Sequence, residues 1–434
     1  MGVLEARMPR NFREDSMSSS FDTRTYSHEL NWPDGLVPMK FVDDDGSMSE
    51  PFAQYAWLRG NAPAVRLKTE GEDVWMITRY DDVRAGSRNP KVFRSHAGGG
   101  DAPRFTFLPQ FDAPEHTRLR RAYAEAFNPK SVALVEDSVR ARAQVLLDAF
   151  LAEGSGDIVE QVAMPLTMYT IGSIMEVPVE DIDKMKAWSD DALLVHAAGR
   201  GLPSTPTAER NAEEFFEYLQ NLLEELYAKG SPSVGGHIAR LWKEGVLTDK
   251  EARELTGFLF VAGHDTTTLL IGNAVRQLVE EPALLERLRE NPGDAVAFVE
   301  EIVRYHGTVH RTSRRVAENV VIDGTTIPAG SFVRLVVASA NRDGSRFENP
   351  DVFDIDRANS GHVGFGHGVH SCIGAPLARL EARIAVELMA KTFGSIEFDS
   401  RQPVELMRGH MITLGAKHVV VKVRPVDGPK ERSL

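Results

Sequence analysis

Hydrophobic residues recur along most of this chain at helical intervals, and only a few short runs carry the signature of strands. Residues 1–45 depart from that rule. They are polar, with clusters of Asp and Ser and prolines at 33 and 38, and predict a loose tail followed by a tethered lead-in. Residues 75–78 predict a short strand, and a helix starts over 80–85. Between 95 and 112, glycines and prolines sit beside Phe105, Phe107, Leu108 and Phe111. Such a loop is either irregular packing or a mobile cover over a pocket. From 113 to about 229 the pattern is helical, broken at Pro129, at Gly154 and Gly156, and near Pro178. Thr248 and Glu251 then have capping-box spacing and open a helix that runs to Glu280, where Pro282 ends it. At ~1.5 Å per residue it spans about 50 Å, enough to cross a large domain. Further helices are expected over 284–289 and 295–305 and from Pro376 onward, with strands over 320–322, 332–337 and 418–423 and a turn at 328–330. The expectation is a mainly α fold with small β-sheets, in which no linker divides residues 46–434.

Composition narrows the class. With 434 residues, 42% of them hydrophobic, the chain can bury a large core, and length alone would suggest more than one domain. The longest apolar stretch, 257–275, carries His264 and Asp265 near its middle. Placing that Asp in lipid would cost roughly 2.5–3.5 kcal/mol, so the stretch reads as a buried helix. The N-terminus is charged and serine-rich, without an apolar run to serve as signal or anchor. A net charge of −13 argues against nucleic-acid or anionic-membrane partners. The single cysteine excludes an intrachain disulfide and fits a cytoplasmic protein.

That cysteine lies in the strongest motif of the chain, running from Phe365 through Gly366, Gly368, His370 and Cys372 to Gly374. Glycines at 364, 366 and 368 open backbone conformations closed to other residues and let a flat ligand approach. A helix announced by Ala375-Pro376 follows, so its dipole and N–H groups are expected to lower the thiol pKa. A thiolate held in this way can ligate iron. Two other readings compete. His362, His367, His370 and Cys372 would serve zinc, although zinc has no need of the glycine spacing, and a lone cysteine can be a buried structural thiol.

The pattern resembles the haem-binding loop of the cytochrome P-450 superfamily, and the resemblance extends from about residue 50 to 425. It implies a single triangular domain carrying haem b, with Cys372 as the axial ligand and Phe365, Gly366, His370 and Gly374 shaping its loop. In the long helix, Ala262-Gly263-His264-Asp265-Thr266-Thr267 gathers poor helix formers within an apolar segment and predicts a local break that serves function; a packing notch is the plainer reading. By the resemblance, Ala262 lies against the haem, Thr266 stabilises iron-bound peroxide and Asp265 supplies protons. Glu301 and Arg304 share a helical face and, with Arg357, match a buried cluster that pins the segment before the cysteine loop. His116 and Arg120, together with Arg314, match donors to the haem propionates; Arg315 is adjacent, so that register is open by one.

Pocket positions implied by the resemblance are Phe105, Phe107, Leu108, Phe258, Val261, Val309 and Ile412, and they favour a small lipophilic substrate. The family's usual Pro is replaced by Thr308. His310 and Arg311 are unusually polar for their strand, and face either the propionates or a polar group on the substrate. The resemblance implies a monooxygenase that uses O2. No flavin or nicotinamide segment follows the haem loop, so a ferredoxin and its reductase are expected to supply electrons, docking on Arg118, Arg121 and Arg379. A monomer is expected, with no membrane or nucleic-acid partner. The competing functions are a peroxide-driven peroxygenase, which the Asp265–Thr266 pair argues against, and a haem-bearing sensor or carrier without turnover.

Overall fold

Thr248 does cap the long helix, and it does so reciprocally. Its hydroxyl accepts from the Glu251 N–H at 3.2 Å, and the Glu251 carboxylate accepts from the Thr248 N–H at 3.0 Å. The computed structural model describes residues 27–34, 36, 50–68, 72–95, 105, 107–124, 127, 132–198, 204–357, 361–399, 404–406 and 412–426. Most of the expected tail, much of the 95–112 loop and the break at Pro129 lie outside the described residues.

The helices are α1 (Phe52–Asn61), α2 (Tyr80–Arg88), α3 (Glu115–Ala124), α4 (Glu136–Glu153), α5 (Met164–Met175) and α6 (Ile182–Ala198). They continue with α7 (Pro206–Lys229), α8 (Val234–Lys243), α9 (Asp249–Glu280), α10 (Ala283–Glu290), α11 (Ala295–Tyr305) and α12 (Ala375–Thr392). The capped helix, α9, is the axis of the bundle, packed on α5, α7, α11 and α12. Most of its residues are buried for that reason.

The sheets are small. β1 (Ala64–Leu67), β2 (Val74–Ile77), β3 (Phe93–Arg94), β5 (Thr312–Val316) and β8 (Phe332–Leu335) form one sheet in the order β1-β2-β8-β5-β3, and β4 (Ser155–Asp157) lies in another. β6 (Val320–Ile322) and β7 (Thr325–Ile327) make a hairpin; β12 (Val420–Pro425) lies between β4 and β9 (Phe393–Phe398) in one three-stranded sheet, and β10 (Glu405–Leu406) pairs with β11 (Ala416–His418). The expected mainly α fold with small sheets is what the chain adopts. Local differences have physical causes. The run expected as one strand over 418–423 is split between β11 and β12, which pair with different strands. The break at Gly154 and Gly156 is partly β4, hydrogen-bonded to β12. β5 escaped the sequence pattern because its sequence, TSRRV, is polar; its neighbours β3 and β8 complete its ladder. Among the described residues, no helix is long and apolar enough to cross a membrane.

Glu301, Arg304 and Arg357 come together as expected. Arg304 donates through both Nε and Nη2 to Glu301 at 2.7 Å, and the two side chains are almost fully buried. Its remaining hydrogens go to the carbonyls of Asn341, Pro350 and Val352, and Arg357 Nε reaches Glu301 at 3.3 Å. Every oxygen and nitrogen of the buried pair is engaged, and that offsets the cost of removing two charges from water. Replacing Arg304→Leu removes the bidentate partner of the buried Glu301 carboxylate and leaves the carbonyls of Asn341 and Pro350 without their donor. It should lower stability by about 3–5 kcal/mol, read as a depressed thermal midpoint and a smaller yield of folded protein.

Candidate active site

The loop that carries Cys372 is closed by its own backbone. Cys372 N–H donates to Phe365 O at 2.7 Å, and Gly366 N–H donates to Val363 O at 2.8 Å. Gly366 and Gly368 take φ values of +74° and +73°, which L side chains rarely adopt. At Gly368 a Cβ would also lie 2.5 Å from Ser87 O on α2, so this loop is pressed directly against that helix. The loop is tethered to the buried cluster as well: Val363 N–H donates to the Asn341 side chain at 2.8 Å, and Asn341 O is held by Arg304.

Cys372 is exposed, yet burial among protein atoms pushes its thiol pKa up. Both hold for a thiol on the wall of a recess within the fold. Backbone N–H groups of Gly374 and Ala375 and the charges of Arg120 and Arg379 pull in the opposite direction and do not prevail. The expected lowering by the helix terminus is therefore present and outweighed by desolvation. A second sign of the recess is a stripe on α9. Phe258, Ala262, Asp265 and Thr266 lie within about two turns and are only half-buried, although the helix around them is buried. The helix is continuous here, contrary to the expected break. Gly263 is a notch against Ile171, whose Cδ1 would lie 2.7 Å from a Cβ, and Thr266 Oγ1 donates to Ala262 O at 3.2 Å. His264, between the glycine and the acid, is turned inward and buried.

Basic groups converge beside Cys372. The His116 and His370 rings are 4.1 Å apart, and Arg120 donates to Ser371 Oγ at 3.2 Å. Burial drives the His370 pKa down to about 3, and Arg314, His116 and Arg120 push it the same way, so its ring is neutral. Burial likewise lowers His116, Arg120 and Arg314, with Asp112 opposing this at His116 and Arg314. His116 Nε2 is buried without a hydrogen-bond partner. An orphaned nitrogen and two guanidinium groups gathered beside an accessible thiol are the donor set that two carboxylates and an iron require. The residues present fit a haem. The pleat of β5 separates the two adjacent arginines: Arg314 is buried, whereas Arg315 turns outward to pair with Glu72 at 2.7 Å.

His310 and Arg311 face neither the propionate donors nor a substrate. His310 is buried beside Phe52 and Tyr55, with ring centroids at 5.4 and 6.2 Å, and Arg311 Nε donates to the Tyr55 hydroxyl at 3.1 Å. They anchor α1. The zinc reading also fails, because His362 is bonded to Glu300 at 3.0 Å and His370 to Ser95 at 3.0 Å. Among the described residues the one group with metal-ligand spacing is Asp157, Glu160 and His418, and it excludes Cys372. Of the three arginines expected to meet a ferredoxin, Arg118 is paired with Glu251 and Arg379 with Glu300, and Arg121 is exposed. Sequence reasoning missed Arg84 and Arg88 on α2, which act electrostatically on His367 in the cysteine loop. Their i, i+4 spacing was the available signal.

The candidate pocket residues are unevenly placed. Phe105, Phe107, Leu108 and Val261 are buried, Phe258 and Val309 half-buried, and Ile412 exposed. Phe107 contacts Phe258 at 4.8 Å, and also stacks on His196 of α6 at 4.2 Å.

Comparison with known proteins agrees with this geometry. A family model described as cytochrome P450 matches residues 205–423. The cytochrome P450 monooxygenase PikC of Streptomyces venezuelae is 35% identical, over 81% of this chain and 86% of that one. The erythromycin C-12 hydroxylase of Saccharopolyspora erythraea is 32% identical, over 88% of this chain and 98% of that one. Among solved structures, a cytochrome P450 from Chondromyces apiculatus superposes with a TM-score of 0.79 at 30% identity, over 90% of this chain and 99% of that one. Fold and site thus define a haem-thiolate oxygenase. The chain belongs to the cytochrome P450 family: it is a monooxygenase whose cofactor is haem b, bound through a cysteine thiolate, and it draws on O2 and a redox partner.

If the buried arginine of β5 serves the cofactor, Arg314→Ala should release haem to a haem-free acceptor globin roughly tenfold faster than wild type, with Arg315→Ala close to wild type; each bidentate charge-assisted contact is worth ~1.5–3 kcal/mol. Equal rates for the two variants would refute the assignment.

Proposed function

We propose that Cys372 is the haem ligand, and that the chain inserts one oxygen atom of O2 into a C–H or C=C bond of a small lipophilic substrate. The observation that carries this reading is the seat of Cys372, the chain's only thiol, accessible in a recess and approached by two backbone N–H groups. Phe365, Gly366 and Gly374 shape that seat, with Arg379 stacked 4.3 Å from the Phe365 ring. His116, Arg120, Arg314 and His370 would hold the propionates, and Ala262 offers a small side chain on the accessible stripe of α9. Bound haem supplies O2 activation and the oxidising step.

The protein's part is proton supply and orientation. Asp265 is the general acid, and Thr266, held by its bond to Ala262 O, is the alcohol that fixes the proton's route. Phe105, Phe107, Leu108, Phe258, Val261, Val309 and Ile412 supply apolar surface for the substrate. The relatives' names include erythromycin and vitamin D(3), both lipophilic. Residues 46–434 act as one domain, as a monomer in the cytoplasm. Electrons come from a ferredoxin and its reductase. An acidic ferredoxin is best met on α2, where Arg84 and Arg88 flank the cysteine loop; Arg118 and Arg379 are already neutralised by their partners.

Cys372→Ser should abolish the thiolate signature of the reduced carbon monoxide complex. Asp265→Asn and Thr266→Ala should keep that signature and lose about a hundredfold in turnover of any compound that shifts the ferric spin state. Retained turnover in both variants would remove these residues from proton supply. Arg84→Glu with Arg88→Glu should slow reduction by an acidic ferredoxin and flatten its salt dependence, whereas Arg118→Glu should do much less. Unchanged reduction kinetics at low ionic strength in the double variant would eliminate this docking face.

A further inference from the structure

A carboxyl group lies in the core on the same helix that seats the thiol, and it has no part in the chemistry above. Glu381 is on α12 and is 1% exposed. α12 starts directly after the cysteine loop, and the N–H groups of Gly374 and Ala375 at its beginning approach the Cys372 sulfur. Glu381 stands about 9 Å further along the helix axis.

The Thr170 side chain on α5 is the one polar group that acts on Glu381, and Glu381 Oε2 is buried without a hydrogen-bond partner. A threonine hydroxyl has a single hydrogen, and Thr170 donates it to Leu166 O at 2.9 Å. Its oxygen can therefore meet the carboxyl only as an acceptor, and the hydrogen in that contact belongs to Glu381.

The charged groups of the elements packed on α12 are engaged elsewhere. Glu136 and Arg140 of α4 pair with Arg383 and Glu387, and Arg142 lies over the Tyr169 ring. Glu300 and Glu301 of α11 hold Arg379 and Arg304. Arg287 of α10 pairs with Asp356, and Arg289 donates to Ala390 O at the end of α12. On α9, Arg276 pairs with Glu50 and Glu280, and Asp265 lies on the half-buried stripe; Glu397 of β9 is exposed. Among the described residues none of these charges acts on Glu381, and burial holds its pKa well above the usual carboxyl range. A carboxylate in the core without a cation is costly, and the group stays neutral instead.

We propose that Glu381 works as a neutral acid whose O–H bond to Thr170 ties α12 to α5, and that loss of its proton sets the alkaline limit of the thiolate site. As pH rises the proton leaves to water. The charge left behind faces the Thr170 oxygen, and α12 must move to hydrate it, taking the Gly374 and Ala375 N–H groups away from the sulfur. The folded pKa is raised, so the stabilisation is complete below the ordinary carboxyl range and is lost as pH rises through the folded value. Glu381 touches no reacting atom and is a positioning residue. The proposal rests on the reading of Cys372 as the haem ligand.

The test uses the haem-loaded protein. An infrared difference between wild type and Glu381→Gln at pH 7 should show a carboxylic-acid carbonyl band. Carboxylate bands in its place overturn the proposal.

A second readout is the pH at which the reduced carbon monoxide complex loses its thiolate signature. Glu381→Gln has the same shape, is neutral and can still donate to Thr170. It should load haem and keep the signature roughly one pH unit or more further into alkali than wild type. Thr170→Val removes the acceptor and should lower the limit by about half a pH unit, with no effect once Glu381→Gln is present. A packing role predicts one limit for wild type, both single variants and the double variant, and that result would overturn the proposal. So would a Gln variant unable to hold haem, since the charge itself would then be required. If wild type lacks the signature at every pH, the reading of Cys372 falls alone; the infrared band reports on Glu381 separately.

Discussion

The bidentate contact between Arg304 and Glu301 sets the position of the site. From that pair a line of hydrogen bonds runs to the thiol: Arg304 holds Asn341 O, the Asn341 side chain holds Val363 N–H, Val363 O holds Gly366 N–H, and Phe365 O holds Cys372 N–H. The charges are buried, and each remaining lone pair or hydrogen has a partner. A contact of that kind does little for net stability compared with a well-packed apolar substitute, but it tolerates no displacement, because either ion left alone out of water is costly. The loop that bears the only cysteine inherits this rigidity.

Around that loop the electrostatics follow from burial. His116, Arg120, Arg314 and His370 all have their charged forms disfavoured by desolvation, and they disfavour one another. A cluster of that sign is tolerable when an anion completes it. The same logic governs the thiol, whose pKa burial raises despite two backbone donors and two guanidinium groups; a metal ion is the group that reverses such a shift. The donors around Cys372 suit an anionic sulfur, which is what the proposed bond to the iron of haem b would make of it.

The segment from Thr308 to Val316, which runs into β5, serves two neighbours. His310 and Arg311 turn to α1, where Phe52 and Tyr55 receive them. Arg314 turns inward and Arg315 outward, as the pleat of β5 requires. Two adjacent arginines thereby acquire different tasks, one buried near the site and one in a surface ion pair with Glu72. Charge on α2, α3 and α12 is similarly divided, with Arg118 and Arg379 paired where they stand and Arg84 and Arg88 left beside the cysteine loop.

Much of this was legible in residue order because it depends on local chemistry. The capping box at Thr248 fixes where α9 begins, since both of its bonds span three residues. The glycines at 366 and 368 announce a left-handed turn before the thiol, and the cysteine motif needs no distant partner to be recognised. The Glu301 and Arg304 pair was visible as a shared helical face, while its burial was expected only from the family resemblance. β5 was invisible because its polar sequence becomes a strand only between β3 and β8. The orientation of His310 and Arg311, the notch at Gly263 and the pairing of Arg118 with Glu251 were settled by neighbours far away in the chain. Spacing along a chain fixes which backbone bonds close nearby; which face a side chain presents, and whether its charge survives there, depends on surfaces that meet only when the fold is complete.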